Sequence, residues 1–134
     1  MLTREQILKT IDAAYTRRRQ GDKSVTADLM APGGTYALAG DASLLVGYPV
    51  GPSEAVAAVS KLIDLFTFHD DERLEAAVDG NRATVRWRVT LSRGPDGPRV
   101  ATEIAQFWTF NDDGKALSLL EFADTALIAQ LLKD

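Results

Sequence analysis

With 134 residues, 46% of them hydrophobic and 25% charged, the chain has the composition of one soluble globular domain, 1–134, large enough to enclose a single core. A formal net charge of -4 argues against the basic face that nucleic acid requires, and no apolar run is long enough to span a bilayer, so the cytoplasm is the expected compartment. The absence of cysteine excludes disulfides and thiolate chemistry, one histidine argues against a zinc site, and neither a metal nor a cofactor is expected.

In chain order, Thr3 and Gln6 form a capping-box pattern that predicts a helix from about Arg4 to Gln20, with Gly21 as its left-handed stop. Its buried stripe is Ile7, Ile11, Ala14 and Tyr15, joined by Leu8. The run Arg17-Arg18-Arg19 falls in the last turn, where cations complement the exposed carbonyls. A short helix near Thr26 to Met30 stops ahead of Pro32, and a Gly33-Gly34 turn leads into a strand near Thr35 to Ala39. Gly40 to Gly51 is rich in turn formers yet carries Leu44, Leu45, Val46 and Tyr48, enough apolar surface to cover a pocket or meet a partner. Pro52 suits the first position of a third helix running to Leu65, with Val56, Val59, Ile63 and Phe66 on one face. Turn signals at Asp79-Gly80-Asn81, Gly94 to Pro98 and Asn111 to Gly114 then divide four long strands, near Phe68 to Val78, Arg82 to Arg93, Arg99 to Asn111 and Lys115 to Ala123. In the second of these, Val85, Trp87, Val89 and Leu91 alternate with Thr84, Arg86, Arg88 and Thr90, and only one set can face the helices. Asp124 caps a final helix carrying Leu127, Ile128, Leu131 and Leu132.

Three stretches carry a family likeness: Ala14-Tyr15 through Gln20-Gly21-Asp22, Val46-Gly47-Tyr48 through Gly51-Pro52-Ser53-Glu54-Ala55-Val56, and Asp113-Gly114-Lys115 through Glu121-Phe122-Ala123-Asp124-Thr125. With this element order the chain resembles the nuclear transport factor 2-like superfamily, in its SnoaL-like and limonene-epoxide-hydrolase-like branch. The resemblance implies an α+β, cystatin-like barrel fold, a cone-shaped curved antiparallel sheet wrapped around helices. It also implies a mostly apolar pocket for a small molecule and a homodimer formed through the outer face of the sheet. The catalytic positions of ketosteroid isomerase match Ala14, Gln106 and Leu38, which leaves no base for that isomerisation. The hydrolase pattern matches Glu121 as general base, Arg88 as its charge partner and Tyr36 as water holder, but its asparagine falls at Leu38 and its acid at Thr90. The acid–base group of the SnoaL-like cyclases also matches Glu121.

The residues alone leave the inner face open. Glu121 shares a register with Leu117 and Leu119; facing a pocket it is a desolvated base, facing outward a solvated edge charge. Arg88 is either its partner inside, which sends Trp87 into a dimer interface, or a solvated neighbour of Arg86. Tyr36 offers a hydroxyl, and Tyr15, Leu38, Phe66, Thr90, Glu103 and Gln106 complete the candidate lining. Trp108, Phe110 and Ile104 read as core or dimer face, and His69 as a strand-entrance residue. The functions compatible with this set are a cofactor-independent cyclase, isomerase or hydrolase using Glu121, a binding module for an apolar ligand, and a dimeric protein-interaction domain.

Overall fold

The computed structural model describes residues 1–40 and 53–133. The element order is α1 (Arg4–Arg19), α2 (Val25–Leu29), β1 (Met30–Ala39), β2 (Ser53–Glu54), α3 (Ala55–Leu65), β3 (Phe66–Asp79), β4 (Arg82–Arg93), β5 (Val100–Phe110), β6 (Ala116–Ala123) and α4 (Thr125–Leu131). The strands form one sheet in the order β2-β1-β6-β5-β4-β3, in which β2 is a two-residue edge and β1 runs parallel to β6. The other pairings are antiparallel.

Local chemistry sets the helix ends. Thr3 and Gln6 close a reciprocal capping box at the start of α1, and Gly21 follows it at φ 72°, where a side chain would be strained. Helix α3 starts at Ala55, capped by the Glu54 carboxylate, which accepts from the Val56 and Ala57 amides. It therefore begins three residues beyond Pro52, and the segment thought to cover a pocket, apart from Gly40, lies outside the described residues. Asp124 caps α4 by accepting from the Leu127 amide.

Bulges bend the sheet. The pairing of β3 with β4 skips His69 and Leu74, and that of β5 with β6 skips Leu117. Each extra residue sharpens the local twist, which curls the sheet around the helices. Helix α1 lies across β3, held by Arg73 on both carboxylate oxygens of Asp12 at 3.0 and 3.2 Å and by Arg19 on Asp71 at 2.5 Å. The concave face carries the core. Val85, Trp87, Val89 and Leu91 of β4 all point inward, and Trp87 stacks on Tyr15 of α1 at 3.9 Å.

That placement corrects the inward reading of Arg88. A strand alternates faces, and burying the Trp87 set removes far more apolar surface from water than burying Arg88, so Arg88 is exposed on the convex face. Thr90 is on that face too. Glu103 is exposed there and accepts from Arg86 at 2.5 Å, while Arg86 also reaches Glu75 at 3.0 Å. Leu117 is likewise not in register with Leu119 and Glu121: as the bulge residue it turns out, 45% exposed, while Leu119 is buried. Among the described residues, no helix is long and apolar enough to cross a membrane.

Candidate active site

A cavity of about 120 Å³ opens between the concave face and the helices. Its wall is apolar, built from residues such as Leu38, Val59, Phe66, Phe68, Leu91 and Ile128, and a few polar side chains interrupt it. Of the residues singled out from sequence, Glu121, Tyr36, Tyr15, Leu38, Phe66 and Gln106 line it, whereas Arg88, Thr90 and Glu103 are on the opposite face of the sheet.

The polar groups are ordered by strand register. Gln106 of β5 and Glu121 of β6 are direct cross-strand partners, and Leu38 of β1 flanks Glu121 on its other side. The Tyr36 hydroxyl donates to Glu121 Oε1 at 2.5 Å, and Gln106 Nε2 donates to Oε2 at 2.9 Å. Behind them the Trp108 indole N–H donates to Gln106 Oε1 at 3.0 Å. An indole nitrogen can only donate, so it claims the oxygen of the amide and turns the NH₂ toward the carboxylate. Trp108 thereby fixes the polarity of the whole chain. Gln106 and Trp108 are each 3% exposed, so a flipped amide would place two acceptors against each other without water to separate them.

Burial raises the Glu121 pKa, and the hydrogen bonds from Tyr36 and Gln106 and the charge of Arg18 oppose that rise. Burial also lifts the Tyr36 phenol well above its ordinary value, with the neighbouring Glu121 charge adding to it, so Tyr36 stays a donor. The result is a carboxylate held by two donors in an apolar wall. Each oxygen accepts one bond and keeps a second lone-pair site for a proton from elsewhere.

Arg18 is the functional candidate that sequence reasoning passed over. It leaves the α1 surface and lines the cavity, where Nη2 donates to the Phe66 and Leu62 carbonyls at 2.8 and 3.3 Å and Cζ stands 4.0 Å from the Phe68 ring centroid. Burial lowers its pKa to about 10, so it stays charged near neutrality. A signal was present: Arg18 continues the Ile7, Ile11, Tyr15 stripe at helical spacing. His69, by contrast, meets Ser92 Oγ at 2.7 Å away from the cavity, and no cluster of three metal-ligating side chains occurs among the described residues.

Comparison with known proteins agrees with this architecture. The chain superimposes on TerC, crystallised with polyporic acid, at a TM-score of 0.75 and 18% identity over 96% of this chain and 99% of that one. A protein assigned as a SnoaL-like polyketide cyclase from Jannaschia sp. CCS1 gives 0.74 and 17% over 96% and 92%. An epoxide hydrolase of the limonene-epoxide-hydrolase-like type from M. tuberculosis gives 0.68 and 14% over 96% and 90%. No curated protein matches the chain by sequence. At these identities the likeness establishes the fold. The profile of the SnoaL-like domain matches residues 11–119, most of the chain, and on that match the protein belongs to the SnoaL-like family.

Proposed function

We propose that the protein binds a small apolar molecule in this cavity and moves a proton on it, with Glu121 as the acid–base group. The observation that carries the reading is the half-buried Glu121 carboxylate, oriented by Tyr36 and Gln106 and left with free lone-pair sites in an apolar wall. A base of this kind takes a proton from an activated carbon or from water and returns it at a second position. Desolvation strengthens the base, and the Tyr36 and Gln106 donors hold its geometry through both states. Opening of an epoxide is the less supported chemistry, because Thr90, which the resemblance matched to the hydrolase acid, is on the convex face, and the inward residues Val85, Trp87, Val89 and Leu91 offer no acid.

The test is Glu121→Gln, which keeps the shape and removes the base. Turnover of a carbon-acid substrate should fall by about 10² to 10⁴-fold while ligand affinity changes little. Unchanged turnover would sink the catalytic assignment. A second reading, storage or presentation of an apolar ligand without chemistry, is favoured by the largely apolar lining; recovery of a bound compound with unaltered mass after prolonged incubation would support it.

We also propose a homodimer through the convex face. There Phe107, Leu120 and Phe122 are 45%, 36% and 47% exposed, and the Phe107 and Phe122 rings meet edge to face at 5.5 Å. A contiguous apolar patch of that kind is costly in water and is what a self-complementary interface covers.

A further inference from the structure

The three consecutive arginines of α1 have different partners. Arg17 binds Asp22 at 2.8 Å and Asp28 at 2.7 Å, and Arg19 binds Asp71. Arg18 makes no salt bridge among the described residues. Its Nη2 is committed to two carbonyls, and its carbon is over the Phe68 ring, but Nη1 and Nε take no acceptor there. Carbonyl dipoles and a ring face spread a positive charge without cancelling it. Glu121 acts on Arg18 through space, with no hydrogen bond or ion pair between the two side chains. Nearly one helical turn before Arg18, Tyr15 lines the same cavity; it is 4% exposed, and its hydroxyl has no hydrogen-bond partner among the described residues. An apolar cavity thus holds, on one helix face, a cation without a direct ion-pair partner among the described residues and a free hydroxyl.

We propose that the occupant of this cavity is an apolar organic anion whose charged oxygen is received by Arg18 and the Tyr15 hydroxyl. The inference rests on the reading of the cavity as a ligand site and adds the class of ligand. Guanidinium recognises an oxygen anion with charge-assisted, directional bonds, and the wall around it selects a hydrocarbon body. The other charges reaching this seat are Glu121 and Asp71; Asp71 is already neutralised by Arg19.

Calorimetric titration of the full chain with straight-chain alkanoates from hexanoate to dodecanoate, each against the 1-alkanol of equal length, tests this directly. At the best-fitting length the acid should bind about tenfold or more tightly than the alcohol. Arg18→Met should abolish that preference and Tyr15→Phe should reduce it. Glu121→Gln removes a like charge from the cavity and should preserve or strengthen it, so a failure of the acid–base assignment, read as turnover, is seen separately from a failure of this one. Should Arg18→Met not fold, the wild-type protein still decides. A ¹³C-carboxylate ligand should remain ionised when bound to a lower pH than when free, whereas a merely apolar cavity protonates it. Equal affinity for acid and alcohol, binding of neither, or easier protonation in the bound state would overturn the proposal.

Discussion

Replacing Gln106 by leucine isolates the polar chain behind Glu121. The substitution keeps the approximate volume, leaves the buried Trp108 N–H without an acceptor, and removes one donor from the carboxylate. An orphaned buried donor costs about 1–3 kcal/mol and a lost bond to a charged acceptor about 1.5–3 kcal/mol. The better burial of leucine returns about 1 kcal/mol, for a net loss of about 1.5–5 kcal/mol. Only the carboxylate part should depend on pH. Because burial raises the Glu121 pKa, the folded protein holds that proton more tightly than the unfolded chain, and stability falls as pH rises from the ordinary carboxylate range to the folded value. Gln106→Leu raises that pKa further and extends the fall. Urea unfolding followed by the fluorescence of buried Trp87 and Trp108 measures this in a double-mutant cycle with Glu121→Gln. The coupling should be about 1 kcal/mol or more near pH 8 and vanish near pH 4, where the carboxyl is protonated. A coupling below about 0.5 kcal/mol, or one indifferent to pH, would refute the orienting role of Gln106.

Tyr36→Phe removes the other donor and should move the acid limb of the kcat/KM profile to higher pH, since the charged form of Glu121 loses support; an unmoved limb would separate Tyr36 from the base. Phe122→Lys on the convex face should convert the proposed dimer to a monomer in sedimentation velocity, while the unfolding free energy of that monomer stays within about 0.5 kcal/mol of the wild-type monomer's at high dilution. Thr3→Ala breaks the capping box of α1 and should cost about 0.5–2 kcal/mol in urea unfolding, without altering ligand affinity.

The parts of the fold legible in the sequence are those governed by short-range chemistry. The capping box at Thr3 and Gln6, the positive φ at Gly21, the bounds of β4 and the Asp124 cap each depend on a few adjacent residues. The inner face of the sheet depends on comparison of two sets of side chains, and a positional match placed Arg88 inside against the larger apolar demand of the Trp87 set. Leu117 was misplaced because a bulge resets alternation without leaving a mark in composition. Gln106 was reached only through the family resemblance, and nothing in the sequence tied it to the Trp108 indole. Arg18 was hidden by its neighbours: three arginines at a helix end look alike, and only the packing of α1 on β3 gives Arg17, Arg18 and Arg19 separate surroundings.

The tether of Glu121 runs entirely through the sheet, from Trp108 and Gln106 on β5 to Glu121 on β6 and Tyr36 on β1. Much of the surface that meets an occupant, including Tyr15, Arg18, Val59, Leu62 and Ile128, comes from helices. On the proposed function, chemistry and recognition are therefore encoded in different layers of one small domain. Substitutions on α1, α3 or α4 would re-tailor the shape and charge preference of the cavity while the proposed proton-transfer group keeps its register in the sheet, so the scaffold would accept a different occupant without rebuilding the tether of Glu121.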